Sequence, residues 1–499
     1  MKALSATPTS KVNEQGAAAF NPAVCWPAFY SRDARFDGRI FAGVVTTKIY
    51  CRSICPVPFA KLNKIAWFAT AAAAEAEGFQ PCRRCRPQAA PGTPAWQGTS
   101  AVVSRALKFI MEGSLDSCSV DQLAERVGIG SRQLRRLFVQ HMGASPIRIA
   151  ITRRVHFART LIEETDLPIT DIALSAGFQS IRQFNHSILA TYRQSPTRLR
   201  EEAGGLEASS RISGLLIRLS YRPPFDWGFM LRFLLDRAVP GVESVDDESY
   251  RRTIEIDGVS GYLDIRHDPD HAQLKVRVHL PRYDCLMSVV DRVRRIFDLR
   301  ADPLQISAHL ASDRRLEPLL KAHPGLRVPG TWDGFECSIC AILGDSIEAY
   351  GTNRKLVKRF VERFGKPVKL GVAGLTHLFP RPQEISISDL SSIGIRGDRA
   401  IAINALSRAA SRKKLSFEAS RSLEESIGRL LAVPRIRKVA AEYIALRVFG
   451  EPDAFPVETA MLKKICPRSF NALRPADMLE IAERWRPWRA YAALHLVNR

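Results

Sequence analysis

Residues 120–146 read VDQLAERVGIGSRQLRRLFVQHMGASP, and the spacing of their apolar side chains decides how the middle of this chain folds. Leu123, Ala124 and Val127 share one face of a short helix, and Leu134, Leu137 and Phe138 share a face of the next. Gly128 stands between them, where the chain reverses through a conformation that glycine adopts freely. Two helices joined by so short a turn form a helix-turn-helix, whose second helix enters a DNA major groove. Arg132, Arg135 and Arg136 lie on its exposed side. Residues 169–196, ITDIALSAGFQSIRQFNHSILATYRQSP, repeat the plan with Ile172, Ala173, Gly177, Phe178 and Phe184, and display Ser180, Arg182 and Gln183. Arginine and glutamine there reach base edges, while neighbouring arginines hold phosphates. The plainer alternative is a helical bundle with a solvated basic face.

Charge agrees with a polyanionic partner. Lys and Arg number 73 against 51 Asp and Glu, a net charge of +22. Nucleic acid is the simplest partner, and an anionic membrane surface the competing one. The excess is mostly arginine within helical patterns, which favours nucleic acid. No run of about 18 apolar residues offers a membrane span, and the first residues lack the apolar core of a signal peptide. The expected address is therefore the cytoplasm, with no membrane partner.

At 499 residues the chain should divide into several domains of about 100–200 residues each. Residues 1–20 are polar and small, and are expected to be disordered. Residues 21–90 hold the clustered cysteines, and QAAPGTPAWQGTS (88–100) reads as a linker. The helical pattern covers 101–200, and EEAGGLEASS (201–210) forms a second linker. In 211–285 the alternation within RRTIEIDGVSGYLDIRHDPDHAQLKVRVHL predicts antiparallel strands with Asp-Gly and Pro-Asp turns. From 290 to 499 the pattern is helical. The fold class is α+β multidomain.

Ten cysteines in so long a chain are too few for a disulfide scaffold. YCRSIC supplies Cys51 and Cys55, PCRRC supplies Cys82 and Cys85, and 26 residues separate the pairs. Two such pairs converge four thiolates on a tetrahedral ion, for which zinc is the usual occupant. Cys337 and Cys340 lack a second pair and sit in a helical run, so they read as core residues. His309, His323, His377 and His495 form no ligand spacing. A zinc-bound thiolate is structural or reactive, and spacing alone does not decide which.

Resemblance to known families adds to this. FDGRIFAGVVTTKIYCRSICPVP (36–58) followed by GFQPCRRC (78–85) looks like the N-terminal domain of the Ada family, the bacterial sensors of DNA alkylation. The resemblance implies that Cys51 accepts a methyl group irreversibly from a DNA phosphotriester, with Cys55, Cys82 and Cys85 completing the metal set. Four thiolates on Zn²⁺ carry a formal charge of about −2, and one methylation leaves about −1, so DNA binding should strengthen. After the second cysteine this chain has PVPFAKLNK, where Lys61 and Lys64 are candidate phosphate contacts. The helix-turn-helix pair resembles the AraC-type DNA-binding domain, most specifically in FNHSILATYRQSPTRLR. No PCHR motif of a methylguanine methyltransferase is present. Together these imply an alkylation-responsive transcription regulator that acts on double-stranded DNA with RNA polymerase, in the bacterial cytoplasm and on the nucleoid when bound.

YRPPFDWGFMLRFL, GLRVPGTWDGFE, AILG and AERWRPWRAYAALHL look like the AlkA family of 3-methyladenine DNA glycosylases. The resemblance covers about 211–499 and implies a sheet domain followed by a helix-hairpin-helix domain, which flips an alkylated base out of the duplex. An aspartate of that family stabilises the positive charge that develops on the sugar. Here the gapless match through Tyr443, Asp453 and Phe455 puts Thr459 at the aspartate, with Glu458 one residue away. The hairpin turn reads PRIR, so Arg435 and Arg437 replace glycines. Val439 and Val497 replace pocket tryptophans, and Asp345 and Ser346 replace duplex-probing residues, leaving Tyr443 as the pocket aromatic. Trp485 and Trp488 read as packing residues. The expectation is an impaired glycosylase domain attached to a single-turnover methyl acceptor. The alternative is a working 3-methyladenine glycosylase that uses Glu458.

Overall fold

The computed structural model describes residues 22–58, 60–91, 101–203, 214–344, 353–385, 389–417, 423–455 and 475–498. The expected disorder of 1–20 falls outside these residues, as do Asp345, Ser346, Glu458 and Thr459. The chain forms two compact units that divide near residue 208, and its class is α+β multidomain.

The first unit begins with helix Pro22–Tyr30, followed by a four-stranded sheet of order β3-β1-β2-β4. Its strands are β1 (Phe41–Val44), β2 (Ile49–Cys51), β3 (Ile65–Phe68) and β4 (Gln80–Pro81). β1 runs antiparallel to β2 and β3, whereas β2 and β4 are parallel. One small core gathers Phe41, Tyr50, Ala71, Ala74 and Phe79, and another gathers Cys25, Phe29, Ile40 and Ala42. Cores of this size give a module little hydrophobic stability of its own, which is where a metal staple counts.

The helix-turn-helix pattern is realised as read. Helix Val120–Val127 buries Leu123, Ala124 and Val127, and starts with a capping box in which Ser119 Oγ accepts from Gln122 N–H. Gly128 and Gly177 both end helices at φ +79°. Helix Ser131–Met142 buries Leu134, Phe138 and Met142, while Leu137 is only half-buried. Helices Ile169–Ser175 and Ile181–Tyr192 build the second unit around Ile172, Phe178, Phe184 and Ile188. The 19-residue helix Pro146–Glu164 joins the two. Its Arg153 and Arg154 clamp Asp116 at 2.9 Å and 2.7 Å.

The second unit opens with a five-stranded antiparallel sheet of order β5-β9-β8-β7-β6. The strands are β5 (Leu215–Ser220), β6 (Glu243–Val245), β7 (Ser249–Ile256), β8 (Val259–Asp268) and β9 (Gln273–His279). The Asp-Gly turn joins β7 to β8, with Asp257 and Gly258 at φ +50° and +78°, as a two-residue hairpin requires. Two expectations need correction. A helix, Trp227–Arg237, interrupts the strand region, because Asp226 Oδ1 caps it at Phe229 N–H and Phe229, Met230 and Leu234 recur at helical spacing. In the helical region a two-stranded ladder pairs Lys366–Pro367 with His377–Leu378.

A buried ion cluster ties this sheet to helix Gly334–Leu343. Arg252 Nη2 donates to Glu336 Oε2 at 2.8 Å, and Arg252 Nη1 lies 3.2 Å from Glu243 Oε1. Removing one partner leaves a charge stranded in the interior. Glu336→Ala should therefore cost roughly 3 kcal/mol, read as a lower urea midpoint; a change below about 1 kcal/mol would sink this account.

His495 is 3% exposed. Burial, aided by nearby His323, pushes its pKa down to about 4. The depressed folded value means that His495 contributes stability above the unfolded value of about 6.5, and loses it as pH falls toward 4. His495→Leu should flatten the stability of the second unit between pH 6.5 and 4, where the wild-type chain forfeits roughly 3 kcal/mol. Equal acid sensitivity of the two proteins in urea titrations would contradict this.

Candidate metal centre and nucleic-acid interface

β2 ends on Cys51, and its parallel pairing with β4 sets Tyr50 opposite Pro81, which brings Cys82 beside Cys51. Cys55 and Cys85 follow on tight turns, and the four residues are all buried. Their Sγ atoms lie within 4.8 Å of one another. Zinc–sulfur bonds of about 2.3 Å place tetrahedral sulfurs about 3.8 Å apart, so the thiols fit this ion.

The four sulfurs are not equivalent. Arg52 N–H donates to Cys85 Sγ at 3.4 Å. Among the described residues no backbone N–H is directed at Cys51. A hydrogen bond to a thiolate withdraws charge from its sulfur, which leaves Cys51 more electron-rich than Cys85. Arg52 is a residue that the sequence reading missed. Its buried guanidinium pairs with Asp37 (Nε to Oδ1 2.8 Å) and donates to Cys85 O at 3.1 Å. Only the register that brings Asp37 against β2 reveals it.

Residues flanking the cysteines weld this module to the helix-turn-helix pair. Tyr50 Oη donates to Glu75 Oε1 at 2.9 Å, and Glu75 also meets His156 Nε2 at 2.8 Å and Thr152 Oγ1 at 2.6 Å. Burial by itself would raise the Glu75 pKa, but His156, Thr152 and Tyr50 hold it below its ordinary value. Arg86 pairs with Glu163, and Arg83 lies 3.2 Å from Glu202. Thr152, His156 and Glu163 all stand on the helix between the two DNA-reading units.

Arg132, Arg135 and Arg136 are exposed along the first recognition helix, with Arg135 loosely paired to Asp121 at 3.9 Å. Arg182 and Gln183 are exposed on the second. Ser180 serves there as the N-cap, its Oγ accepting from Gln183 N–H at 3.2 Å. Lys61 and Lys64 are exposed near the metal centre.

In the second unit, helices Leu423–Leu431 and Lys438–Val448 flank the PRIRK turn. Arg435 does sit at a position that favours glycine, with φ +65°, at a cost of roughly 1–2 kcal/mol. Arg437 does not: it is an N-cap at φ −79°. It is also not a free charge, since Nη2 donates to Gly344 O at 3.3 Å. Arg435 Nε lies 3.4 Å from Asp398 at the surface. Tyr443 is buried, its hydroxyl accepting from Arg447 Nη1 at 2.5 Å, while Arg447 Nη2 is anchored on Gly330 O at 2.7 Å. Val439 and Val497 are half-buried. Trp485 packs on Phe455 and donates to Asp313 Oδ2 at 2.9 Å, a packing role. Cys337 and Cys340 lie inside helix Gly334–Leu343, and burial pushes the Cys337 thiol up to about 11. Among the described residues no helix is long and apolar enough to cross a membrane.

A four-thiol metal centre welded to paired helix-turn-helix units, ahead of a sheet and a helical hairpin, defines a multidomain protein that binds double-stranded DNA through separate modules. The family model of the metal binding domain of Ada matches residues 24–88, a helix-turn-helix domain matches 123–202, and the AlkA N-terminal domain matches 216–333. Over 476 residues, 95% of both chains, the sequence is 37% identical to a probable bifunctional transcriptional activator/DNA repair enzyme AlkA of Mycobacterium tuberculosis. It is 32% identical over 285 residues to DNA-3-methyladenine glycosylase 2 of Escherichia coli, covering 56% of this chain and 95% of that protein. It is 29% identical over 153 residues to the Escherichia coli bifunctional transcriptional activator/DNA repair enzyme Ada, covering 31% of this chain and 42% of that protein. The chain belongs to the family of bifunctional transcriptional activator/DNA repair enzymes of the AlkA type. Its cofactor is zinc, held by the four-cysteine cluster.

Proposed function

We propose that this protein senses DNA alkylation by taking one methyl group from a DNA methylphosphotriester onto Cys51, and then regulates transcription through its helix-turn-helix pair. The observation that carries the assignment is the buried four-thiol centre in the segment matched by the metal binding domain of Ada, with Cys51 at the end of its strand and, unlike Cys85, accepting no backbone N–H among the described residues. Zinc, when bound, keeps the four sulfurs deprotonated. In the transfer, Cys51 Sγ attacks the methyl carbon, the carbon–oxygen bond breaks, and the oxygen leaves as an ordinary phosphodiester anion. The thioether that remains lowers the negative charge of the centre by one, which favours the approach of flanking phosphates. Arg132, Arg135, Arg136, Arg182 and Gln183 face the promoter, Ser180 orders the second helix, and RNA polymerase is the downstream partner, in the bacterial cytoplasm. Lys61 and Lys64 contact phosphates near the lesion.

The glycosylase-like unit acts mainly as a DNA-binding or scaffolding module. Thr459 at the aspartate position, the anchored Arg437 and the engaged Tyr443 hydroxyl support impaired base excision. The second reading, a working 3-methyladenine glycosylase using Glu458, is favoured by the 32% identity to DNA-3-methyladenine glycosylase 2. Peptide mapping by mass spectrometry after exposure to methylphosphotriester DNA tests the principal reading. Methyl on another cysteine, or on none, rejects it.

A further inference from the structure

The second unit contains a cavity of about 310 Å³, at the small end of ligand sites, and none of its lining residues belongs to the helical hairpin. It lies between the β7–β8 turn, the start of helix Gly334–Leu343 and residues 378–382. Its charged groups have protein partners with few exceptions. Arg252 is engaged by Glu336 and Glu243, and Arg381 by Glu255. Asp333 accepts from the N–H groups of Phe335 and Glu336. Arg292 remains. Among the described residues it has no hydrogen-bond acceptor and no ion-pair partner, and its guanidinium lies 5.0 Å over the buried Trp332 ring.

An arginine drawn partly out of water without a protein acceptor is costly, and the Trp332 ring face offsets only part of that cost. Burial pushes the pKa of Arg292 down, while Asp333 and Asp257 act on it only at a distance. A planar guanidinium fork matches a carboxylate in size and in hydrogen-bond direction. Phe335, Leu378, Phe379 and Pro380 give the same cavity an apolar wall. Asp257 at the exposed rim disfavours a duplex backbone or a dianion, which leaves a small singly charged solute.

We propose that this cavity is a binding site for a small organic monocarboxylate, whose acid group forks onto Arg292 and whose apolar body lies against Phe335 and Phe379. Its lining includes none of the zinc cysteines and no residue of helices Leu423–Leu431 or Lys438–Val448, and the inference does not depend on the fate of Cys51 or Thr459.

Calorimetric titration of the full-length, zinc-loaded protein with benzoate, and separately with inorganic phosphate, tests it. Saturable benzoate binding at one site per chain is expected, with phosphate weaker. Arg292→Gln should weaken benzoate by about tenfold or more, as loss of a charge-assisted hydrogen-bond pair does. Arg292→Lys, which keeps the charge but not the fork, should fall between, and Arg314→Gln, at an exposed position outside the cavity, should match wild type. If Arg292→Gln folds poorly, the Arg292→Lys comparison still reads the fork. No benzoate binding, equal binding in all variants, or tighter binding of phosphate than of benzoate would each overturn the proposal.

Discussion

Cys51→Ala will take up no methyl group from methylphosphotriester DNA, whereas the wild-type chain takes up one and then stops. The reason lies in the competing sulfurs. Cys85 accepts Arg52 N–H at 3.4 Å, and a sulfur so engaged is a poorer nucleophile toward carbon than Cys51. The same substitution removes a metal ligand, so loss of uptake alone could reflect a weakened centre. Mapping the wild-type product separates the two causes: the methyl group must reside on Cys51, and on Cys51 alone. Zinc content measured on the variant then reports how much of the module survives with three thiols. Methyl found on Cys85 would mean that hydrogen bonding to sulfur does not select the acceptor.

Release of 3-methyladenine from alkylated duplex DNA will be at least about 100-fold slower than that of an AlkA-type enzyme carrying the aspartate. That is the scale on which removing one preorganised electrostatic group slows a reaction. Thr459 brings no negative charge to the developing oxocarbenium ion. The surrounding changes point the same way: the Tyr443 hydroxyl is occupied by Arg447, and Arg437 is tied to Gly344 O. Thr459→Asp should raise the rate measurably, though not fully, because the pocket tryptophans are still Val439 and Val497. Robust release by the wild-type chain that Glu458→Ala abolishes, and Cys51→Ala does not, would reverse the assignment and establish the glycosylase reading.

Much of this organisation is legible along the chain because it is written in local patterns. Leu123, Ala124 and Val127, then Gly128, then Leu134 and Phe138, specify a helix, a turn and a helix within 20 residues, and the structure follows them. The Asp257–Gly258 turn is legible for the same reason. Helix Trp227–Arg237 was obscured by the strand alternation on either side of it, although Asp226 supplied a cap signal. The hairpin is more revealing. Two arginines look alike in PRIR, yet only Arg435 occupies the left-handed region, because Arg437 lies where the next helix begins.

The sequence by itself determined the kinds of module, their order and the four metal ligands, since helical periodicity, turn residues and paired cysteines are short-range features. Tertiary structure alone decided what distinguishes chemically similar groups. It is the β2–β4 register and the turns after each cysteine pair that gather the four sulfurs and direct Arg52 N–H at Cys85 and not at Cys51. It is likewise the packing of β7, helix Leu286–Ile296 and helix Gly334–Leu343 that gives Arg252 two carboxylates and, among the described residues, leaves Arg292 with none. Whether a charge or a nucleophile is satisfied depends on atoms brought close from far along the chain, and no local pattern encodes that distance.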